Sequence, residues 1–365
     1  MRVLISAGGT GGHINPSLET GRYILEQNEK NKVLFIGANG SMDKKLYKNA
    51  PGEYRLFNAK GLDRKNLLKN FAVLNEDYRA YKDIIKAVDE FKPDIGISGG
   101  GYISAAAMLA LKKRKIPFIV QEQNAIPGLT TKLLSRWAVK YAYAFSSANE
   151  LLKYPKRGVF TGNPVRKEFL QDDKQSARIK LGLPQNAKII LCFGGSLGAK
   201  KINDVILELI PKITPQKDVI LVVGAGNYYY KNYKEFLGKY DNIIIKEYIE
   251  DMPLWLNACD FAVTRAGAMT VSELCAVKKP SVLIPSPNVT ADHQTKNASE
   301  LARVGGAVLL PESKLDAESL YSIFEKLIKS DTKLSEMEKA LEPLSVSDGA
   351  KRIYSVLEEV LAQKP

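Results

Sequence analysis

Cysteine is scarce in this chain, with three among 365 residues. Cys192, Cys259 and Cys275 are odd in number and have no metal-ligand spacing. That argues against a disulfide framework or a cysteine zinc site and reads as reduced core thiols of a cytosolic protein. Long apolar runs are missing too: the longest candidate, residues 103–111, is far short of the ~18 residues a membrane span needs. A charged start running straight into a glycine loop carries no secretory signal. Nucleotide signatures are also lacking. A G-x-G-x-x-G read from Gly9 fails at Ile14, the second strand ends "FIGANG" without an acid for ribose, and no G-x-x-x-x-G-K-[ST] occurs. These absences exclude a dinucleotide-dependent dehydrogenase and a P-loop enzyme. The paired acids Asp172-Asp173 and Glu250-Asp251 form no D-x-D at a strand end, so a metal-dependent diphosphate site has no visible ligands.

Acidic residues are thin in one half. Residues 1–165 hold 26 Lys and Arg against 14 Asp and Glu, whereas residues 166–365 hold 27 against 26. Nearly all of the net charge of +13 therefore sits in the first half. Nucleic acid and an anionic membrane surface are the partners such an excess suits, with plain surface lysine as the alternative.

What is present is the pattern of an α/β protein of two domains, 45% hydrophobic and 25% charged. Short apolar runs alternate with helical stretches, which predicts parallel sheets. The first-half strands are expected at 3–6, 33–37, 95–98, 118–121 and 159–161. The second-half strands are expected at 189–193, 219–223, 243–246, 261–264 and 281–284. "FTGNPVRKEF" (160–169) holds a Gly-Asn-Pro turn suited to an interdomain hinge. An internal echo supports the division. "SAGGTGGHIN" (6–15) follows the first strand, and "CFGGSLGAKKIN" (192–203) follows the first strand after the turn. Two Rossmann-like domains would place both glycine loops at the carboxyl ends of their strands, where ligands bind.

Candidate chemistry gathers at these strand ends. His13 follows four glycines at a helix start, where the helix dipole favours a neutral imidazole. It is either a general base or a histidine bonded to neighbouring backbone. Tyr102 is the one large polar side chain at the mouth of "SGGGYIS". Glu122 and Asn124 close an apolar strand, and Glu122 either works chemically or braces its loop. "TRAGAMTVSE" exposes helix-start amides suited to diphosphate, with Glu273 one turn in. Glu273 reads either as a ribose ligand or as an acid favoured by the dipole.

In order along the chain, "GGTGGHINPSLE", "GGGYIS", "QEQNAIPG", "TGNPVR", "GGSLGA", "EYIEDM", "TRAGAMTVSE" and "DHQTKNA" resemble the motifs of the MurG family over residues 3 to about 310. The resemblance implies a GT-B glycosyltransferase fold, two Rossmann-like parallel-sheet domains facing across a cleft. It implies an acceptor and membrane domain at 1–163 with a C-terminal helix from about 345, and a donor domain at 164–344. It also implies inverting, metal-independent transfer of N-acetylglucosamine from UDP-GlcNAc to lipid I, giving lipid II for peptidoglycan, with no cofactor. The site would be peripheral, on the cytoplasmic face of the cell membrane.

Matched position by position, the resemblance implies donor contacts at Thr10, Gly11, Gly12, Asn124, Arg166, Ser196, Ile249, Ala268, Met269, Thr270, Val271, Ser272, Glu273 and Gln294. It implies acceptor binding at Gly9, His13, Gly101 and Tyr102, and catalysis at His13 and Glu122. The basic stretches "LDRKNLLKNF" (62–71) and "LKKRK" (111–115) would meet anionic lipid. A UDP-GlcNAc 2-epimerase is the alternative that shares this architecture. Nucleic acid is disfavoured, since no aromatics fall at stacking intervals in the basic stretches.

Overall fold

The structure is a computed structural model that describes residues 1–61, 70–195 and 197–363, without the side chains of residues 70–75 and 290. The chain divides into two compact units, Met1–Val165 with Asp348–Pro365, and Arg166–Ser347.

The first unit opens with β1 (Arg2–Ser6), α1 (Gly11–Gln27), β2 (Lys32–Ala38), α2 (Ser41–Tyr47), β3 (Glu53–Phe57) and α3 (Asn70–Phe91). It continues through β4 (Ile95–Ser98), α4 (Tyr102–Lys113), β5 (Phe118–Glu122), α5 (Leu129–Leu134), β6 (Tyr141–Tyr143), α6 (Ser146–Glu150) and β7 (Gly158–Phe160). Its seven strands pair in parallel in the order β3-β2-β1-β4-β5-β6-β7.

The second unit runs α7 (Lys174–Leu181), β8 (Lys188–Phe193), α8 (Lys200–Ile213), β9 (Val219–Gly224), β10 (Ile243–Lys246) and α9 (Met252–Ala258). Then come β11 (Phe261–Thr264), α10 (Ala268–Ala276), β12 (Ser281–Leu283), α11 (His293–Val304), β13 (Ala307–Leu309), α12 (Ala317–Ile328) and α13 (Asp331–Ala340). Its six strands pair in parallel in the order β10-β9-β8-β11-β12-β13. The last helix, α14 (Gly349–Ala362), belongs to the first unit.

Both sheets are covered on two faces, which is why their central strands read as unbroken apolar runs. Successive side chains of β1 go to opposite sides. Leu4 joins Leu34, Ile36, Ile84, Met108 and Leu111 under α3 and α4. Val3 and Ile5 join Phe35, Ile14 and Ile24 under α1, together with Ile353, Val356 and Leu357 of α14. α1 and α14 share the cover of that second face. In the second unit, Ile206, Leu209 and Ile210 of α8 and Phe324 of α12 pack with Ile190, Leu221 and Val263.

All ten expected strands are present within a residue or so of their expected ends. Three more, β3, β6 and β13, were not legible. β3 and β13 are edge strands, and β6 has only three residues. None carries an apolar run long enough to show a period. The Gly-Asn-Pro turn is fastened within the first unit. Asn163 Nδ2 donates to the Gln123 carbonyl at 3.0 Å, and Gln121 Nε2 donates to Asn163 Oδ1 at 3.3 Å. The three cysteines are buried and unpaired. No helix among the described residues is long and apolar enough to cross a membrane.

Candidate active site

In the first unit, β1 delivers the chain into the loop Ala7–Thr10, and neighbouring elements pin that loop. The Gly8 N–H donates to the Gly100 carbonyl at 3.2 Å, and Tyr47 Oη donates to the Ala7 carbonyl at 2.7 Å. Asp43 of α2, only 2% exposed, accepts the Gly9 N–H at 3.0 Å and the Ala38 N–H at 2.9 Å. Two positions explain the glycines. A Cβ on Gly101, whose φ is +84°, would stand 2.3 Å from the Gly8 carbonyl oxygen, and one on Gly8 would stand 2.8 Å from Asp43 Oδ2. Thr10 is the N-cap of α1 and makes no side-chain cap bond. The amides of Gly11 and Gly12 in the first turn therefore have no intrahelical acceptor.

His13 sits half-buried in that turn. Its Nδ1 lies 3.2 Å from the Gly8 carbonyl oxygen and 3.1 Å from Thr10 Oγ1. A carbonyl only accepts, so the Gly8 contact is a hydrogen bond in the Nδ1–H tautomer, whereas in the Nε2–H tautomer Thr10 Oγ1 would donate to a bare Nδ1. The contact with neighbouring backbone expected of His13 is present. The ring lies against Gly100, where a Cβ would stand 2.7 Å from His13 Cδ2. Tyr102 opens α4 beside it, partly exposed. Burial, then the charges of Asp43 and Asp77, raise its hydroxyl above the usual tyrosine range.

Glu122 ends β5 and is buried, 3% exposed. One oxygen accepts from the Asn124 N–H at 3.0 Å and from Asn124 Nδ2 at 3.3 Å, and the other accepts the Gly128 N–H at 3.1 Å. With both oxygens committed, the carboxylate braces the loop and aims Asn124. Of the two expectations for Glu122, the loop brace is the one these hydrogen bonds form.

The second unit builds its site around the start of α10. The N-cap Gly267 supplies no side-chain bond, so the amides of Ala268, Met269 and Thr270 are turned outward. Met269, Thr270 and Glu273 are half-buried on the outer side, whereas Ala268 and Ser272 are buried. Val271 departs from its expected role as a ligand contact. Its side chain is fully buried and its N–H donates to the Gly267 carbonyl at 2.9 Å, so it supports the helix and contacts nothing outside. Ile249 is buried against Gly224, which leaves only its backbone for a ligand. Gln294 Oε1 accepts the Ser286 N–H at 2.9 Å, so its amide NH₂ is the end presented. Arg166 is exposed, with its guanidinium over the Phe169 ring at 5.1 Å. Burial pushes the Glu273 carboxyl up to about 7, against the pull of Arg166. Ser196 lies outside the described residues, but its loop is bounded: a Cβ on Gly198 would stand 2.2 Å from the Ala225 carbonyl oxygen.

Two residues at these sites went unassigned in the sequence. Asp43 lies 34 residues from the amide it holds, and an acid in a helix's first turn gives no hint of that. Arg265 is committed to structural partners. It donates to the carbonyls of Ile284 and Pro285 at 3.2 Å each and pairs with Glu312, tying α10 to the segment that carries Gln294. Among the described residues no three His, Cys, Asp or Glu side chains gather as a metal ion would require.

Comparison with known proteins agrees with this arrangement. The glycosyltransferase family 28 N-terminal domain matches residues 3–143, and the family's C-terminal domain matches residues 189–353. The UDP-N-acetylglucosamine--N-acetylmuramyl-(pentapeptide) pyrophosphoryl-undecaprenol N-acetylglucosamine transferase of Acetivibrio thermocellus is 37% identical, over 100% of this chain and 99% of its own. The crystal structure of Acinetobacter baumannii MurG superposes with a TM-score of 0.77 at 25% identity, over 98% of this chain and 99% of that one. A putative UDP-N-acetylglucosamine 2-epimerase of Listeria monocytogenes superposes with a TM-score of 0.75 at 16% identity, over 100% and 97%. That last likeness is one of fold alone and does not favour the epimerase alternative. With both family 28 domains in order on two parallel-sheet units, and sequence identity running the whole length, the chain belongs to the MurG family of GT-B glycosyltransferases.

Proposed function

We propose that this enzyme transfers N-acetylglucosamine from UDP-GlcNAc to the C4 hydroxyl of N-acetylmuramyl-pentapeptide on undecaprenyl diphosphate, converting lipid I to lipid II. The observation that supports the chemistry is the His13 Nδ1 contact with the Gly8 carbonyl at 3.2 Å, which suits an Nδ1–H tautomer whose Nε2 would take the hydroxyl proton. The oxygen attacks C1 of the donor from the face opposite the nucleotide, and the C1–O bond breaks with its electron pair going to UDP. Charge then grows on the β-phosphate. The outward amides at the start of α10 and the exposed Arg166 are suited to receive it. Glu273 accepts from the ribose hydroxyls, Gln294 donates to the sugar, and Asn124, held by Glu122, meets the N-acetylglucosamine. UDP release is expected from UDP-GlcNAc only when a lipid I analogue is present, and unchanged by EDTA. Acceptor-independent conversion of UDP-GlcNAc to an epimer would overturn the assignment.

The membrane reading gains support from α5 and the turn after it. Leu129 is 65% exposed and Trp137 38% exposed, with Leu133 and Val139 also exposed. Lys132 and Arg136 stand exposed among them, and Lys112 Nζ sits 3.8 Å from the Trp137 ring centroid. Apolar anchors ringed by cations suit an anionic bilayer, where each cation contributes about 1 kcal/mol. Within "LKKRK", Arg114 is already paired with Asp89 at 2.5 Å. The stretch 62–69 lies outside the described residues, as does the Phe71 side chain. Reversing Lys132 and Arg136 to glutamate should weaken binding to vesicles of anionic lipid roughly 30-fold or more, since two such contributions are lost and two repulsions added. Turnover on a short-chain soluble acceptor should persist. Unchanged co-sedimentation at low salt would remove this face from the docking surface.

A further inference from the structure

The Gly8–Gly9 peptide joins two hydrogen bonds that no single side chain makes. On one side its N–H donates to Asp43 Oδ1 at 3.0 Å, and on the other its carbonyl accepts from His13 Nδ1 at 3.2 Å. A trans peptide points its N–H and C=O in opposite directions, so the three groups form a chain from carboxylate through amide to imidazole. Hydrogen bonds in such a chain polarise one another. Asp43 is suited to the task, being buried with its other oxygen fixed by the Ala38 N–H at 2.9 Å. Gly8 makes the approach possible, since any side chain there would collide with Asp43 and Ile103.

From this geometry we infer that Asp43 is a positioning residue for the transfer reaction, acting on His13 through the Gly8–Gly9 peptide. The inference rests on His13 serving as the base. The carboxylate draws the peptide N–H and so makes the Gly8 carbonyl a stronger acceptor. That holds the Nδ1 hydrogen against the competing arrangement, in which Thr10 Oγ1, 3.1 Å away, donates to a bare Nδ1. During transfer the acceptor hydroxyl gives its proton to Nε2 as its oxygen bonds to C1 and UDP departs with the C1–O electron pair. The imidazolium so formed keeps its Nδ1–H on Gly8 and has the Asp43 charge behind that peptide, and it returns the Nε2 proton to solvent. Among the described residues, Tyr47 of α2, Tyr102 of α4 and, beyond Tyr102, Asp77 of α3 are further titratable side chains around this loop.

The test begins with the wild-type protein. With only two histidines in the chain, ¹⁵N imidazole spectra of the full-length enzyme can be assigned by comparison with His293→Gln. The neutral His13 ring should appear as the Nδ1–H tautomer, and should stay so in Thr10→Val. An Nε2–H tautomer in the wild type would overturn the inference outright. Asp43→Asn removes the charge and turns an NH₂ toward one of the two backbone donors. It should lower kcat by roughly 10- to 100-fold, the usual cost of losing a group that orients a reacting side chain. The KM for UDP-GlcNAc should stay unchanged, and the Nδ1–H preference should be reduced. Should Asp43→Asn not fold, Asp43→Glu, which keeps the charge on a longer arm, is expected to retain the tautomer with a smaller fall in kcat. A folded Asp43 variant with the wild-type tautomer and kcat within twofold would leave Asp43 as a loop pin only. Failure of the base reading shows separately, as a wild-type Nδ1–H tautomer together with a His13→Ala enzyme of nearly full activity.

Discussion

His13→Ala should lower kcat by about 10²–10⁴ while moving the KM values for donor and acceptor far less. The size follows from what is removed: the imidazole whose Nδ1 lies 3.2 Å from the Gly8 carbonyl at the end of the glycine loop and whose Nε2 is the base of the proposed reaction. The proton of a sugar hydroxyl would then have to go to water. Binding should survive, because the amides of Gly11 and Gly12 and the Gly101 turn stand on backbone that Asp43 and Gly100 hold independently of the imidazole. Steady-state kinetics with a soluble lipid I analogue reads both quantities. A kcat within a few-fold of wild type would reduce His13 to a helix-start residue. Glu122→Gln should by contrast disturb the Asn124 loop, because its oxygens are already taken by loop donors, and raise the donor KM more than it lowers kcat.

Glu273→Gln should stabilise the fold and weaken the donor at the same time. Burial raises the folded-state carboxyl to about 7 from its ordinary value of 4.5. The folded state therefore binds the proton more tightly than the unfolded chain, and stability falls as pH rises from about 4.5 through 7. Below that window the group costs nothing. Above it the full penalty is in place, up to about 3 kcal/mol for a shift of this size. Glutamine carries no such penalty, so the variant should resist denaturant better than wild type at pH 8 and match it near pH 4.5. Donor binding runs the other way. The ionised carboxylate is the better acceptor for ribose hydroxyls, so wild-type affinity for UDP-GlcNAc should rise as pH passes through about 7. Loss of a charged hydrogen-bond acceptor costs roughly 1.5–3 kcal/mol, about a tenfold to hundredfold weaker donor at pH 8. Calorimetric titration at several pH values checks both signs. A Glu273→Gln enzyme with unchanged affinity would take Glu273 out of the donor site. The cost in stability, if measured, would mark a carboxylate kept for function.

Local sequence determined a good deal of this protein. Runs such as Val3-Leu4-Ile5 and Phe261-Ala262-Val263 announce central parallel strands, because such strands are buried on both faces and need no polar residue. Glycines behind them announce loops where backbone must approach backbone, and Gly101 against Gly8 is such an approach. The order of these motifs was enough to assign the family. Tertiary structure decided what pattern and spacing do not encode. β3, β6 and β13 form because a neighbouring strand offers them hydrogen bonds, not because their own residues carry a period. Glu122 braces its loop because the chain folds Asn124 and Gly128 onto its two oxygens, whatever further part it plays. Val271 turned inward because the core of the second unit lies on that side of α10. Asp43 reached the glycine loop because β1 and β2 lie side by side, which brings the start of α2 beneath Gly9. Burial and charge at a site are sums over every element packed around it, and only the folded chain carries those sums.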